Sequence, residues 1–191
     1  MNQSLEHRLN QIIPTIITDD FLGGRGLGNE LAFYIFDYPP ENELTIRDHI
    51  KTMLLHLPIK RPGIKAAHIN LFEFLINHLE NRRLLDKAIN MQRTEGDAAL
   101  HEKLMPVLHE SKLGPLFVEK VKPADQDVIL VSGVGTVWPM LRSHALLNNL
   151  HALMGSKPLI LFFPGKYDGQ SLNLFGKVKS ANYYRAFRLI P

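Results

Sequence analysis

A chain of 191 residues, 45% hydrophobic and 21% charged, has the balance of a folded domain rather than a disordered one. Chains of about 150 residues already bury roughly two-thirds of their unfolded surface, so a single domain over 1–191 is expected. No cysteine occurs, which removes disulfides, thiolate zinc sites and a cysteine nucleophile, and the net charge of +3 argues for no partner by itself.

The first residues, MNQSLEHRLNQIIP, mix acid and base and lack an apolar core, so they do not read as a secretory signal. No stretch reaches the roughly 18 consecutive apolar residues of a membrane span, and the cytoplasm is the expected compartment. Residues 2–12 predict a short helix with Leu5, Leu9 and Ile12 on one face, stopped before Pro14. A glycine-rich loop, Gly23 to Gly28, leads into the apolar run Leu31–Phe36, which is closed by Asp37-Tyr38-Pro39-Pro40. A short aromatic-rich run bounded by turn residues predicts a strand covered on both faces.

Thr45 and Asp48 resemble a capping box. Ile46, Ile50, Met53/Leu54 and Leu57 follow at helical spacing, and Pro58 is the expected stop. After the Arg61-Pro62-Gly63 turn, Ile64–Leu71 predicts a weaker strand. Leu71, Phe74/Leu75, His78/Leu79, Arg82 and Leu85 then hold a 3.6-residue period. Gly96-Asp97 breaks it, and a second helix is expected from Asp97 to about Glu110, kinked or split at Pro106. Gly114-Pro115 predicts a further short turn through Val121, so residues 72–121 read as a helical insertion between strands.

The last third is the clearest. Asp127–Ser132 predicts a strand, Gly133-Val134-Gly135 its turn, and Thr136 the N-cap of a helix running through Met154 to a stop at Gly155. Pro158–Phe163 predicts the next strand, ended by Pro164-Gly165, and Leu172–Val178 and Tyr183–Ile190 two more. Strand–helix–strand over 127–163 is a βαβ unit whose strands should be parallel. The fold class is therefore α/β, a central, mostly parallel sheet flanked by helices.

Catalytic spacing is missing. Gly165-Lys166 is followed by Tyr167, and Ile160 stands where a Walker A loop needs its first glycine. Glycines 24, 26 and 28 are two apart and precede a strand, whereas a dinucleotide fingerprint follows one. Gly133, Gly135 and Thr136 have the better context, strand before and helix after. They read either as an anion-binding turn or as a tight βα turn that only glycine fits. None of the nine histidines makes a metal-binding spacing, neither Ser132 nor Ser143 sits in a nucleophile elbow, and Asp37 ends a strand as a carboxylate without a visible partner. No cofactor, metal or catalytic residue is expected.

Charge is unevenly spread. From Asp127 onward seven Lys or Arg meet two acids, while residues 1–126 carry 15 bases and 17 acids. Aromatics and bases interleave across Tyr167, Tyr183, Tyr184, Arg185, Phe187 and Arg188. Three readings stand: core packing, a protein contact rich in Tyr and Arg, or a surface that stacks nucleobases.

The motifs Val131-Ser132-Gly133-Val134-Gly135, Trp138-Pro139 with Leu141-Arg142-Ser143-His144, Phe163-Pro164-Gly165, Tyr167-Asp168-Gly169, Leu174-Phe175-Gly176 and Asn182–Phe187 resemble the BrxB family, small core proteins of bacterial BREX (bacteriophage exclusion) systems. Residues 127–190 carry the resemblance most specifically. It implies a role in phage defence without catalytic residues to carry over. It also implies partners from the same system: a PglZ-type alkaline-phosphatase-like protein first, then a BrxC-type ATPase and a PglX-type methyltransferase. The order of elements resembles a P-loop ATPase-like domain lacking its Walker A loop. On this reading the protein is an adaptor, not an enzyme, with a contact surface sought among Arg142, Tyr167, Tyr183, Tyr184, Arg185 and Arg188. The alternative is a DNA- or nucleotide-binding subunit that uses the Gly133–Thr136 turn and the basic C-terminal third.

Overall fold

A computed structural model describes residues 4–23, 32–141, 143–179 and 186–191. Its elements in chain order are α1 (Leu5–Ile16), α2 (Asp19–Leu22), β1 (Phe33–Tyr38), α3 (Glu43–Lys60), β2 (Ala66–Asn70), α4 (Leu71–Asn81), α5 (Leu85–Glu95), α6 (Asp97–Leu104) and α7 (Glu110–Val121). These are followed by β3 (Val128–Ser132), α8 (Val134–Val137), α9 (Ser143–Met154), β4 (Leu159–Tyr167), β5 (Leu172–Leu174), β6 (Val178–Lys179) and β7 (Phe187–Arg188).

The sheet runs β2-β3-β4-β1-β7 with every one of these pairings parallel. β5 and β6 form an antiparallel hairpin on the far end of β4. The fold class is thus α/β with a parallel sheet, and the strands of the 127–163 unit are parallel neighbours. Helices cover both faces, which is why β3 is buried throughout and β4 is buried at every residue but Lys166.

Side chains alternate between two apolar clusters. Phe33, Ile35, Ile69, Ile129, Val131, Leu159, Leu161 and Phe163 meet α4, α6, α7, α8 and α9. Phe36, Tyr38, Val128, Leu130, Ile160 and Phe162 meet α1, α2 and α3. The segment read as an inserted helical block is the connection between two adjacent parallel strands, β2 and β3, lengthened to four helices.

Proline misleads the reading at three places. α1 continues through Pro14 because Ile16 is completely buried two residues on, and Thr15 Oγ1 donates to Gln11 O at 2.8 Å. α3 passes Pro58 to Lys60, anchored by the buried Leu57, whose carbonyl accepts from Arg61 N. Gly114 and Pro115 lie inside α7 instead of opening a turn. A methyl at Gly114 would stand 3.3 Å from Leu153 Cδ1, so the missing side chain lets α7 approach α9 closely.

Other boundaries move as well. The helix expected to continue to Leu85 ends at Asn81, where Arg83 takes φ 56°. The helix expected from Asp97 to about Glu110 ends at Leu104. The helix expected from Thr136 to Met154 is two helices, α8 and α9, with a cis Trp138–Pro139 peptide between them. β4 passes through Pro164-Gly165 and joins the hairpin, whose turn at Phe175 (φ 56°) and Gly176 (φ 68°) splits the expected Leu172–Val178 strand. Of the expected Tyr183–Ile190 strand, Phe187 and Arg188 pair with Tyr34 and Ile35, and Tyr183–Arg185 lie outside the described residues.

Candidate functional site

Ligands of open α/β sheets bind beyond the carboxyl ends of the parallel strands. That edge carries Asp37 and Tyr38 of β1, Asn70 of β2, Ser132 of β3 and Arg188 of β7.

Asp37 is 8% exposed and fully engaged. Arg8 of α1 donates from Nη2 to Asp37 Oδ1 at 2.8 Å and from Nη1 to the Asp37 carbonyl at 2.8 Å. The Tyr167 amide donates to Asp37 Oδ2 at 3.0 Å, and Arg188 Nη2 stands 3.9 Å from the same oxygen while donating to the Tyr167 carbonyl. Arg8 Nη2 also reaches Ile190 O at 3.3 Å, and the guanidinium lies 4.7 Å over the Phe36 ring. The cluster joins α1, β1, β4 and β7. Charge-assisted bonds at both carboxylate oxygens tie the buried Asp37 into its neighbours, so it locks the strand end.

Tyr167 belongs to the same lock. It is 1% exposed, and its hydroxyl sits 2.6 Å from Ala186 O and 3.0 Å from Gly169 O. Expected as a contact residue, it is instead sequestered, because β4 extends past Pro164-Gly165 and turns this ring inward. Arg188 keeps 40% of its side chain in solvent. Arg142, Tyr183, Tyr184 and Arg185 lie outside the described residues.

The glycine turn after β3 is explained by packing. Gly133 has φ 78°, and a methyl there would stand 2.6 Å from Asn70 Oδ1. That oxygen caps α4 by accepting from Phe72 N and Glu73 N. A methyl on Gly135 would lie 2.9 Å from the Phe175 ring. Thr136 Oγ1 donates to Gly133 O at 2.9 Å, and α8 is four residues long, too short for a useful helix dipole. This geometry supports the tight-turn reading of Gly133, Gly135 and Thr136.

The structure also makes a pair that the sequence leaves invisible. The β2–β3 register sets Asn70 opposite Ser132 and brings His68 Nε2 within 2.8 Å of Ser132 Oγ, 64 positions away. Desolvation lowers the His68 pKa, opposed by Glu73, so the ring is neutral at neutral pH. A neutral His beside a Ser hydroxyl is the bare minimum of a base–nucleophile pair. Ser132, however, is 3% exposed, so the pair offers little of the serine to solvent. Among the described residues no three His, Asp or Glu side chains are grouped to hold a metal, and no helix is long and apolar enough to cross a membrane.

The family model described as "BREX protein BrxB" matches residues 67–189. A protein of that name from Escherichia coli O9:H4 (strain HS) is 40% identical over 187 residues, covering 98% of this chain and 92% of its own length. Another from Bacillus cereus (strain H3081.97) is 39% identical over 188 residues, covering 97% of each chain. No solved structure matches.

Proposed function

Because the chain belongs to the BrxB family, which makes it a component of a BREX anti-phage defence system, we propose that it works as a non-catalytic adaptor that docks onto a PglZ-type protein. The observation that carries this reading is the engagement of Asp37 at both carboxylate oxygens. The strand end where an α/β enzyme would place its working acid is occupied by Arg8 and the Tyr167 amide, and Ser132 at the end of β3 is buried. A rigid sheet end with its polar groups internally paired suits a scaffold that presents a surface. BrxC-type ATPase and PglX-type methyltransferase proteins are the further partners of the same reading. The contact surface is placed around Arg188, with Arg142, Tyr183, Tyr184 and Arg185 as the companions that sequence suggests.

Co-expression with the other BREX proteins of one locus, followed by affinity capture of this chain, tests the proposal. Stoichiometric recovery of the PglZ-type protein is the expected result, with Arg185→Glu weakening it and phage protection together. Arg188→Glu is informative only alongside a melting curve, since Arg188 also holds the Tyr167 carbonyl. Nucleotide or phosphodiester hydrolysis by the purified chain, abolished by His68→Ala or Ser132→Ala, would overturn the non-catalytic reading.

A further inference from the structure

The β5–β6 hairpin turns two different faces to its surroundings. Leu172 and Leu174 are buried with Tyr167 in the core. At the alternate positions the exposed Lys166 of β4 stands directly opposite Asn173 of β5, and Asn173 opposite Lys179 of β6. Neighbouring strands are about 4.8 Å apart, so the two lysine positions share one row roughly 10 Å apart with an uncharged residue between them. Lys177 is exposed in the adjoining turn.

Nothing described neutralises this row. Neither Lys166 nor Lys177 takes part in an ion pair among the described residues. The nearby acid, Asp168, is committed to its own turn, accepting from Gln170 N, Ser171 N and Ser171 Oγ. Asn173 Oδ1, in the middle of the row, is buried without a hydrogen-bond partner. Like charges gathered on one sheet face repel, and a polyanion laid along them relieves that repulsion.

An exposed aromatic packs against the turn of the same hairpin. Trp138, the single tryptophan of the chain, is 41% exposed and stands edge-on to Phe175 at a centroid distance of 6.4 Å. Phe175 occupies the hairpin turn, two residues from both Asn173 and Lys177. Cations without an ion pair and an exposed indole on the same hairpin are the two parts of a surface that binds single-stranded nucleic acid, where phosphates meet the cations and bases stack on the ring. An acidic protein surface would need the cations alone.

We propose that the outer face of the β4–β5–β6 hairpin, with Trp138 at its turn, docks a single-stranded polynucleotide. Lys166 and Lys177 meet its phosphates, and the indole stacks on a base. The site is separate from the adaptor reading and stands whether or not a PglZ-type protein is bound.

Because Trp138 is the sole tryptophan, its fluorescence reports the contact directly. Titration with short oligothymidylate and oligouridylate should quench it saturably, and the arm that binds more tightly identifies DNA or RNA as the ligand. Affinity should fall with salt, with a log–log slope of roughly 0.7 per phosphate met. Lys166→Glu and Lys177→Glu should each weaken binding about tenfold and flatten that slope, with unchanged melting curves, while Lys103→Glu on α6 has no effect. Three outcomes overturn the proposal: no binding at low salt, polyaspartate binding as tightly as either oligonucleotide, which would mark an acidic protein surface, or oligonucleotide binding that both lysine variants leave unchanged.

Discussion

Arg8 holds Asp37 at two points at once, through the carboxylate at 2.8 Å and through the main-chain carbonyl at 2.8 Å, across 29 residues of sequence. The pair is largely buried, with 14% and 11% of the two side chains exposed. Removing one partner therefore leaves a charge in a place water does not reach. Arg8→Ala should cost about 3–5 kcal/mol of unfolding free energy. Asp37→Asn should cost less, because the amide oxygen can still accept from Arg8, which also keeps its bonds to the main-chain carbonyls of residue 37 and Ile190. Urea unfolding of the two single variants and the double variant reads the coupling, and additive losses would show that the pair does not act as a unit.

Gly165 and Gly176 should respond very differently to a methyl group. At Gly165 the added carbon would stand 2.2 Å from the Asn173 carbonyl oxygen, a main-chain atom that cannot swing away. At Gly176 it would meet nothing within 4 Å, and only the positive φ of 68° opposes it. Gly176→Ala should cost about 1 kcal/mol. Gly165→Ala should cost more than twice that and open the hairpin, seen as loss of amide-exchange protection over Leu172–Leu174.

Acid should loosen the molecule beginning near pH 6.5. His49 and His78 each keep Nε2 buried without a hydrogen-bond partner, and burial lowers the pKa of both below 6.5. The folded state then binds fewer protons than the unfolded chain. Stability is complete above the unfolded value and drains away as pH falls from 6.5 through the lowered folded values. The urea midpoint, followed from neutral pH downward, should drop over this window, and His49→Gln should flatten the curve. A midpoint indifferent to pH between 7 and about 5 would contradict the assignment.

Asp168 should resist protonation. Three hydrogen bonds from Ser171 and Gln170 hold its carboxyl down to about 2 from an ordinary 3.8. The turn therefore keeps its anionic form above pH 3.8 and loses that contribution only as pH falls toward 2. Carboxyl titration by NMR should place Asp168 lowest among the exposed acids, and Ser171→Ala should move it back up.

Strands and their direction are legible in the sequence wherever both faces are covered, because the apolar runs Val128–Ser132 and Leu159–Phe163 admit little else. Helix ends are less legible. Pro14, Pro58 and Pro115 each sit inside a helix whose buried stripe continues past them, and burial of Ile16, Leu57 and Phe117 outweighs one missing amide bond. The lock at the sheet end is the least legible. Asp37 reads as a lone carboxylate because its partners, Arg8 and the Tyr167 amide, arrive from 29 and 130 positions away. The His68–Ser132 contact likewise exists only once β2 and β3 are in register.

β1 lies between β4 and β7, strands that the ribosome makes after it. Through more than half of synthesis the run Phe33–Tyr38 therefore has no neighbour on either edge, and its apolar side chains wait for a sheet that does not yet exist. Such late, long-range closure slows folding and leaves a sticky strand open to other chains in the meantime. Recombinant yield should thus depend on chaperone supply and low growth temperature more than on the stability of the finished molecule.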